Sequence, residues 1–365
     1  MRVVKFHFQG HGTITSESEV KKVIPKEIMN GTAEDLYSFI AAAIKEANPP
    51  RGAKAGFTFS FPSTQYSLSR CTLNNWTKGF RTSGCVGKDP AELLNQELKN
   101  LDIELDIVAV LNDTVGTLIS RSYIDPCCKV GVILGTGFNI CYLDSISNIK
   151  KLHYEGNDTQ MIVNMECGNT GHNDKMQLPY SELDAELDPT TPNPTFQITE
   201  KLCSGMYLGE LTRLWIMKLW REKQIFSGLD LTALEFSHPF SFGTPYCSEI
   251  LGDTSDNLEV LTHILEQYGI TNVSLKDKKT VHEIVDLVIT RSARIFAALI
   301  YGIFHHIGDM ETVGTVGVDG SVFKYVPGYQ QKLSESLHML GIKPVVGFAD
   351  DGSGIGAALV AYTAN

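Results

Sequence analysis

The stretch that most constrains the fold is residues 106–142, DIVAVLNDTVGTLISRSYIDPCCKVGVILGTGFNICY. Its apolar run 107–111 has strand character and stops at Asn112-Asp113-Thr114, after which Val115, Leu118 and Ile119 recur at helical spacing. Asp113 is therefore expected where a buried strand hands over to a helix N-terminus. A second β-branched run, 130–134, breaks at Gly135-Thr136-Gly137 and resumes over 139–143, the pattern of a hairpin with a tight turn of two glycines and a hydroxyl. A carboxylate at a strand end and a glycine-hydroxyl turn able to approach phosphate are the two halves of a phosphoryl-transfer site.

With 365 residues, 43% of them hydrophobic, the chain can bury one or two substantial cores, and its length favours two domains. The formal charge of -11 argues against nucleic acid or an anionic membrane surface as the main partner, since polyanions select basic patches. The longest apolar stretch, 293–304, is too short to span a bilayer. No basic-then-apolar leader opens the chain, so nothing marks it for secretion. The eight cysteines are scattered without a C-x-x-C pair, which leads us to expect reduced, buried thiols in a cytoplasmic protein.

Along the chain, 2–9 and 13–24 read as strands, and 25–48 as a helix with Thr32 as N-cap and Leu36, Phe39, Ile40 and Ile44 on one face. Residues 56–62, GFTFSFP, alternate like a half-buried strand with Ser60 near its end. Trp76-Thr77-Lys78-Gly79-Phe80 forms a loop whose aromatic residues should shield the lysine. A polar-faced helix follows over 91–101. The run 161–168 reads as a strand with Glu166 near its end, where a carboxylate needs a partner or a function. Residues 174–194 read as loop, and 196–222 as one long helix carrying Glu200 in its first turns. Gly205 inside that helix costs about 1 kcal/mol relative to alanine, so close packing or ligand approach should explain it. Residues 224–285 give mixed signals, 281–306 an apolar buried helix, and 312–318 a strand ending in Asp319-Gly320-Ser321. Asp350-Asp351-Gly352-Ser353-Gly354-Ile355-Gly356 reads as a glycine loop running into a helix, whose first N–H groups favour anions.

Read together, these segments resemble the hexokinase family, the eukaryotic ATP-dependent sugar kinases. The resemblance is carried by GFTFSFPSTQ at 56–65, WTKGF at 76–80, VLNDTVGT at 110–117, VGVILGTGFNICY at 130–142 and VNMECG at 163–168. It continues in NPTFQITEKLCSGMYLGEL at 193–211, VGVDGSVFKY at 316–325 and DDGSGIGAAL at 350–359, in the family's order and spacing from end to end. It implies an α/β, two-lobed, actin-like or sugar-kinase (RNase H-like) fold with mixed sheets flanked by helices and a central cleft. The small lobe would occupy 1–111 and the large lobe 112–365.

The same resemblance implies hexose contacts from Ser60, Thr77, Lys78, Asn112, Asp113, Asn139, Glu166 and Glu200. A polyol is read by carboxylates, amides and hydroxyls, and unmet hydrogen bonds at such a site penalise the wrong sugar. Asp113 would be the base that takes the proton of the 6-hydroxyl, and Lys78 would add positive charge near the reacting groups. Nucleotide contacts would come from Thr136, Gly205, Asp319, Gly320, Ser321 and Ser353. ATP and Mg2+ are the implied cofactors, the ion held by phosphate oxygens and water rather than by a protein cage, so that no metal ligands are expected. Lobe closure on sugar would expel water. The partners implied are glucose or another hexose and ATP, in a cytoplasmic glycolytic monomer or homodimer.

Departures from the family pattern are also expected to matter. The family opens its small lobe with a strand and a D-L-G-G-T-N-F-R phosphate loop, and this sequence begins at that loop's last residue, with Arg2 as its arginine. The expectation is a truncated form of a longer enzyme, with a catalytically impaired sugar-binding or regulatory protein as the alternative. Cys167, Asn169 and Thr170 follow Glu166 where the family has larger or apolar residues. Thr195 replaces a glycine after Asn-Pro, and Ile355 replaces a lysine. An actin- or chaperone-like switch would share the glycine turns but has no use for SFP, WTKGF and the two glutamates in this order.

Overall fold

The computed structural model describes residues 1–10, 12–172, 174–311 and 314–364, without the side chains of Glu17 and Met176. Strands β1 (Arg2–Phe8) and β2 (Ile14–Lys21) pair antiparallel and lead to helices α1 (Lys26–Met29) and α2 (Ala33–Glu46). The single helix expected over 25–48 breaks at Asn30-Gly31, because Thr32 and Asp35 form a capping box that starts α2 afresh. Next come β3 (Ala53–Thr58), β4 (Ser63–Ser67), β5 (Arg70–Leu73), α3 (Pro90–Asn100), β6 (Leu105–Leu111) and α4 (Asp113–Ile124). The hairpin strands β7 (Cys128–Leu134) and β8 (Phe138–Ser145) precede β9 (Gln160–Asn164).

The 174–194 region, expected as loop, holds a helix α5 (Glu182–Leu187) capped by Ser181 and Asp184. The long helix expected over 196–222 is two helices, α6 (Ile198–Cys203) and α7 (Leu208–Arg221). Beyond them lie α8 (Thr244–Gly252), α9 (Glu259–Gln267), the apolar α10 (Leu275–His306), β10 (Thr315–Asp319), α11 (Ser321–Tyr325), α12 (Tyr329–Met339), β11 (Val346–Phe348) and α13 (Gly352–Thr363). Thr312 and Val313, expected as the first residues of the strand that became β10, lie outside the described residues.

By compactness the chain divides into two units, 1–131 with 349–365, and 132–348. This line differs from the 111/112 lobe boundary that the resemblance implies, because α4 and the C-terminal α13 pack together in the first unit. In that unit β3 and β6 run parallel and β4 and β5 antiparallel, and among the described residues neither pair joins β1–β2. Tyr37, Phe59, Leu73, Leu94, Leu98 and Val110 fill its core. A cavity of about 890 Å³ is lined by β1, α2, β3 and α13.

The second unit is built on a sheet of order β11-β10-β7-β8-β9, parallel at β10/β11 and antiparallel at β8/β9. Helix α10 is long and apolar enough to cross a membrane by length and composition, beyond the 12-residue run read from sequence, and 56% of its most apolar window is buried. Its Ser292 donates to the Cys203 carbonyl at 2.9 Å, and Phe296 meets Phe138 edge-on at 5.7 Å, so α10 is the core helix of this unit.

Candidate active site

In the first unit, Ser60 is the hub of the candidate residues. It lies just past β3, and its Oγ accepts the Asp113 backbone N–H at 3.2 Å while its carbonyl accepts Lys78 Nζ at 2.9 Å. Asn112 caps α4: its Oδ1 accepts the Thr114 N–H at 3.0 Å and the Thr114 hydroxyl at 2.7 Å. Asp113 is thereby the first helical residue, half-buried, with Oδ1 accepting the same Thr114 N–H at 2.9 Å. A carboxylate at a helix N-terminus meets the positive end of the helix dipole.

Lys78 is exposed rather than shielded, and sits in the left-handed region at φ 54°. What the surrounding aromatics do is build the wall beside it: Phe61 lies 4.7 Å from Trp76 and 5.1 Å from Phe80, and Lys78 Nζ stands 5.6 Å over Phe61. A turn made by this wall fixes the lysine backbone in a conformation that costs roughly 1–2 kcal/mol for a non-glycine residue. Thr77 lies in the same turn, its carbonyl accepting the Phe80 N–H at 3.1 Å.

In the second unit, Asn139, Glu166 and Glu200 gather around the start of β8. Asn139 Nδ2 donates to Asn164 Oδ1 at 2.9 Å and to Glu166 Oε1 at 3.2 Å, and Asn164 Nδ2 reaches the same Glu166 oxygen at 2.8 Å. Glu166 is not in a strand: β9 ends at Asn164, and Glu166 turns outward in the left-handed region at φ 49°. Asn164 escaped the sequence reading, although its place two residues before Glu166 in VNMECG was a usable signal. Glu200 Oε2 accepts the Phe138 N–H at 3.0 Å, which ties the carboxylate to the end of the hairpin turn. Gln197, also unread, buries an Oε1 with no partner, 2.7 Å from where a Cβ on Gly168 would sit. A residue larger than glycine at 168 would crowd both Gln197 and Glu200. Burial pushes the Cys167 thiol well above its ordinary pKa, so this cysteine beside Glu166 is a packing residue, not a nucleophile.

Thr136 is exposed at the tip of the hairpin, where Gly135 N–H bonds the Gly137 carbonyl at 3.1 Å. Gly205 is not inside a helix but in the break between α6 and α7, and its N–H donates to the Gly135 carbonyl at 2.8 Å. Its Cβ would lie 2.9 Å from that carbonyl, which explains the glycine. Gly320, at φ 129°, allows its chain to pass Leu134, whose carbonyl would sit 2.2 Å from any Cβ there. Ser321 follows as the first residue of α11 and lies against Gly135, and Asp319 closes β10. Four of the expected nucleotide residues, Thr136, Gly205, Gly320 and Ser321, thus converge in one unit.

Ser353 belongs to the other unit, in the first turn of α13, where its carbonyl accepts the Thr58 hydroxyl at 3.0 Å. The glycine loop expected at 350–356 is therefore mostly helix. A Cβ on Gly356 would meet the Gly116 carbonyl at 2.0 Å, and one on Gly56 the Ala357 carbonyl at 2.0 Å. These glycines let α13 lie directly on α4 and β3 rather than on a ligand. Among the described residues no three His, Cys, Asp or Glu side chains converge as a metal site. All eight cysteines are free, and Cys127 is exposed while the other seven are buried.

Two family models, both described as hexokinase, match residues 1–123 and 129–363. The chain is 37% identical to hexokinase-7 of Oryza sativa subsp. japonica over 99% of its own length and 81% of that relative's. It is 36% identical to hexokinase-2 of Rattus norvegicus over its whole length, which spans 40% of that larger protein. Among solved structures, a Schistosoma mansoni hexokinase complexed with glucose aligns with a TM-score of 0.86 and 32% identity, covering 99% of this chain and 82% of that one. A ROK family glucokinase from Streptomyces griseus, at 14% identity and a TM-score of 0.55, shares the fold alone. With the sugar-kinase fold, the motif order and both family models in agreement from the first strand to the last helix, this chain belongs to the hexokinase family.

Proposed function

We propose that this protein transfers the γ-phosphoryl group of ATP to the 6-hydroxyl of a hexose, glucose foremost, as the first step of glycolysis. The observation that carries the reading is the Ser60 hub, which fixes Asp113 and Lys78 on either side of one hydroxyl residue at 3.2 and 2.9 Å. Asn139, Glu166 and Glu200 hold sugar hydroxyls, with Asn164 orienting Glu166 and Phe138 N–H orienting Glu200. Ser60, Thr77 and Asn112 complete the polar contacts. Asp113 takes the proton as the 6-oxygen attacks, a positioned base being worth about 10²- to 10⁴-fold. Lys78 stabilises the negative charge that builds on the transferring group.

Thr136 and the N–H groups around Gly205, Gly320 and Ser321 receive the nucleotide, with Asp319 beside them, and Ser353 is a nucleotide contact by match to the family's motif. Mg2+ would supply charge neutralisation on the phosphates, taking most of its ligands from phosphate oxygens and water. Seven buried free thiols support a reducing, cytoplasmic setting.

A second reading, hexose binding without phosphoryl transfer, draws support from the first unit, where a cavity of about 890 Å³ lies against β1, α2, β3 and α13, so that the part of the unit beside Ser60 is incompletely filled. ADP release measured with and without glucose, with the product identified by ³¹P NMR, separates the two. Glucose-dependent ADP release and a hexose 6-phosphate support transfer. Thermal stabilisation by glucose with no ADP release supports binding alone.

A further inference from the structure

Helix α6 carries Glu200, and the loop entering it is bent in a way the sequence does not favour. Thr195 and Gln197 both adopt left-handed backbone, at φ 70° and φ 56°, where a non-glycine residue persists only when its surroundings enforce it. The enforcement is visible. The carboxylate of Asp188, 6% exposed, accepts the Thr195 N–H through both oxygens at 3.0 and 3.1 Å. Lys201, 3% exposed and next to Glu200 in α6, donates to Asp188 Oδ1 at 2.6 Å and to the Asn193 carbonyl at 2.8 Å. Lys175 Nζ approaches the other oxygen at 3.4 Å. His172 donates through Nδ1 to the Thr195 carbonyl at 2.8 Å and stacks on Phe196. One buried ion pair thus grips the loop at Asn193 and Thr195 and the helix at Lys201, directly beside Glu200.

We propose that Asp188 and Lys201 are positioning residues for hexose recognition: the pair holds the 193–197 loop in its left-handed bend and so sets the entry of α6 and the aim of the Glu200 carboxylate. This rests on the reading of Glu200 as a hexose contact. A buried carboxylate and ammonium can be replaced by apolar groups with little loss of stability, whereas removing one partner strands the other charge. Their bonds to a loop held in left-handed backbone that glycine at 195 would relax mark them as fixing geometry.

The test uses Asp188→Ala/Lys201→Met, which removes both charges together, with and without Thr195→Gly. The pair variant should raise the hexose KM about tenfold while leaving the ATP KM within about twofold. Thr195→Gly added to it should recover most of the loss, because glycine holds the bend without the carboxylate, while Thr195→Gly alone stays within about twofold of wild type. A merely structural role would lower stability without splitting the two KM values and without rescue. Hydrogen exchange at the Thr195 amide supplies a readout independent of activity. Faster exchange in the pair variant supports positioning even if the wild type proves to phosphorylate no hexose, an outcome that would remove only the functional reading. Unchanged Thr195 exchange, or equal rises in both KM values, overturns the proposal.

Discussion

Gly135-Thr136-Gly137 and Gly352-Ser353-Gly354-Ile355-Gly356 look alike as text, each a small-residue segment around a hydroxyl, yet the structure uses them differently. The first is an open turn with Thr136 exposed, and the atom standing where a Gly137 Cβ would be is Glu200 Oε2, at 2.8 Å. The second is a helix start whose last glycine faces the backbone of Gly116 at 2.0 Å. What borders the missing side-chain volume is thus the end of a glutamate side chain in one case and another element's main chain in the other. A glycine of the first kind leaves room for a carboxylate, and one of the second kind protects the packing of two helices.

The contrast can be broken by substitution. Gly356→Ala drives a methyl into a carbonyl that cannot step aside, so α13 must lift from α4. We expect a loss of about 3 kcal/mol in unfolding free energy, read from urea denaturation. An unchanged midpoint would mean that α13 has room and that the glycines answer to something else. Gly137→Ala meets only a carboxylate tip, so stability should fall by less than about 1 kcal/mol while the hexose KM rises about tenfold as Glu200 is pushed aside. A large stability loss with an unchanged KM would make this glycine a packing residue as well. Thr136→Val keeps the turn and removes one exposed hydroxyl. The ATP KM should rise about threefold with the unfolding midpoint unchanged, and a change in the hexose KM instead would move Thr136 to the sugar side.

Local pattern revealed much of the fold and little of its long-range assembly. The strand run before Asn112-Asp113, the hairpin at 135–137 and the apolar α10 were legible because each is set by neighbours in sequence. The break of the expected 196–222 helix was not, since Gly205 is fixed by a carbonyl on Gly135, 70 residues away in the chain. The return of α13 to the N-terminal unit is equally a long-range contact. Helix α5 was hidden in a segment rich in Asp and Pro, where the Ser181/Asp184 capping box and the Arg291 bonds to Asp184 at 2.7 and 2.9 Å override weak propensity.

At the candidate site, the family's motif order suggested which residues to look at, and it did not give their geometry. Glu166 was read as a strand residue, whereas its left-handed backbone and two asparagine partners hold it beyond the strand. Lys78 was read as shielded, whereas its aromatic neighbours shape its backbone and leave the amine exposed. Gln197 was missed because the position it borders, Gly168, is 29 residues earlier in the chain, and Asn164 because its bond to Glu166 at 2.8 Å needs the bend that follows β9.

The most direct test of the account is the turnover of Asp113→Ala at saturating glucose and ATP, measured by ADP release beside the binding of an ATP analogue. Loss of the base should lower kcat about 10³-fold while the analogue still binds. Turnover within about tenfold of wild type would contradict the assignment of Asp113 as the group that takes the hydroxyl proton.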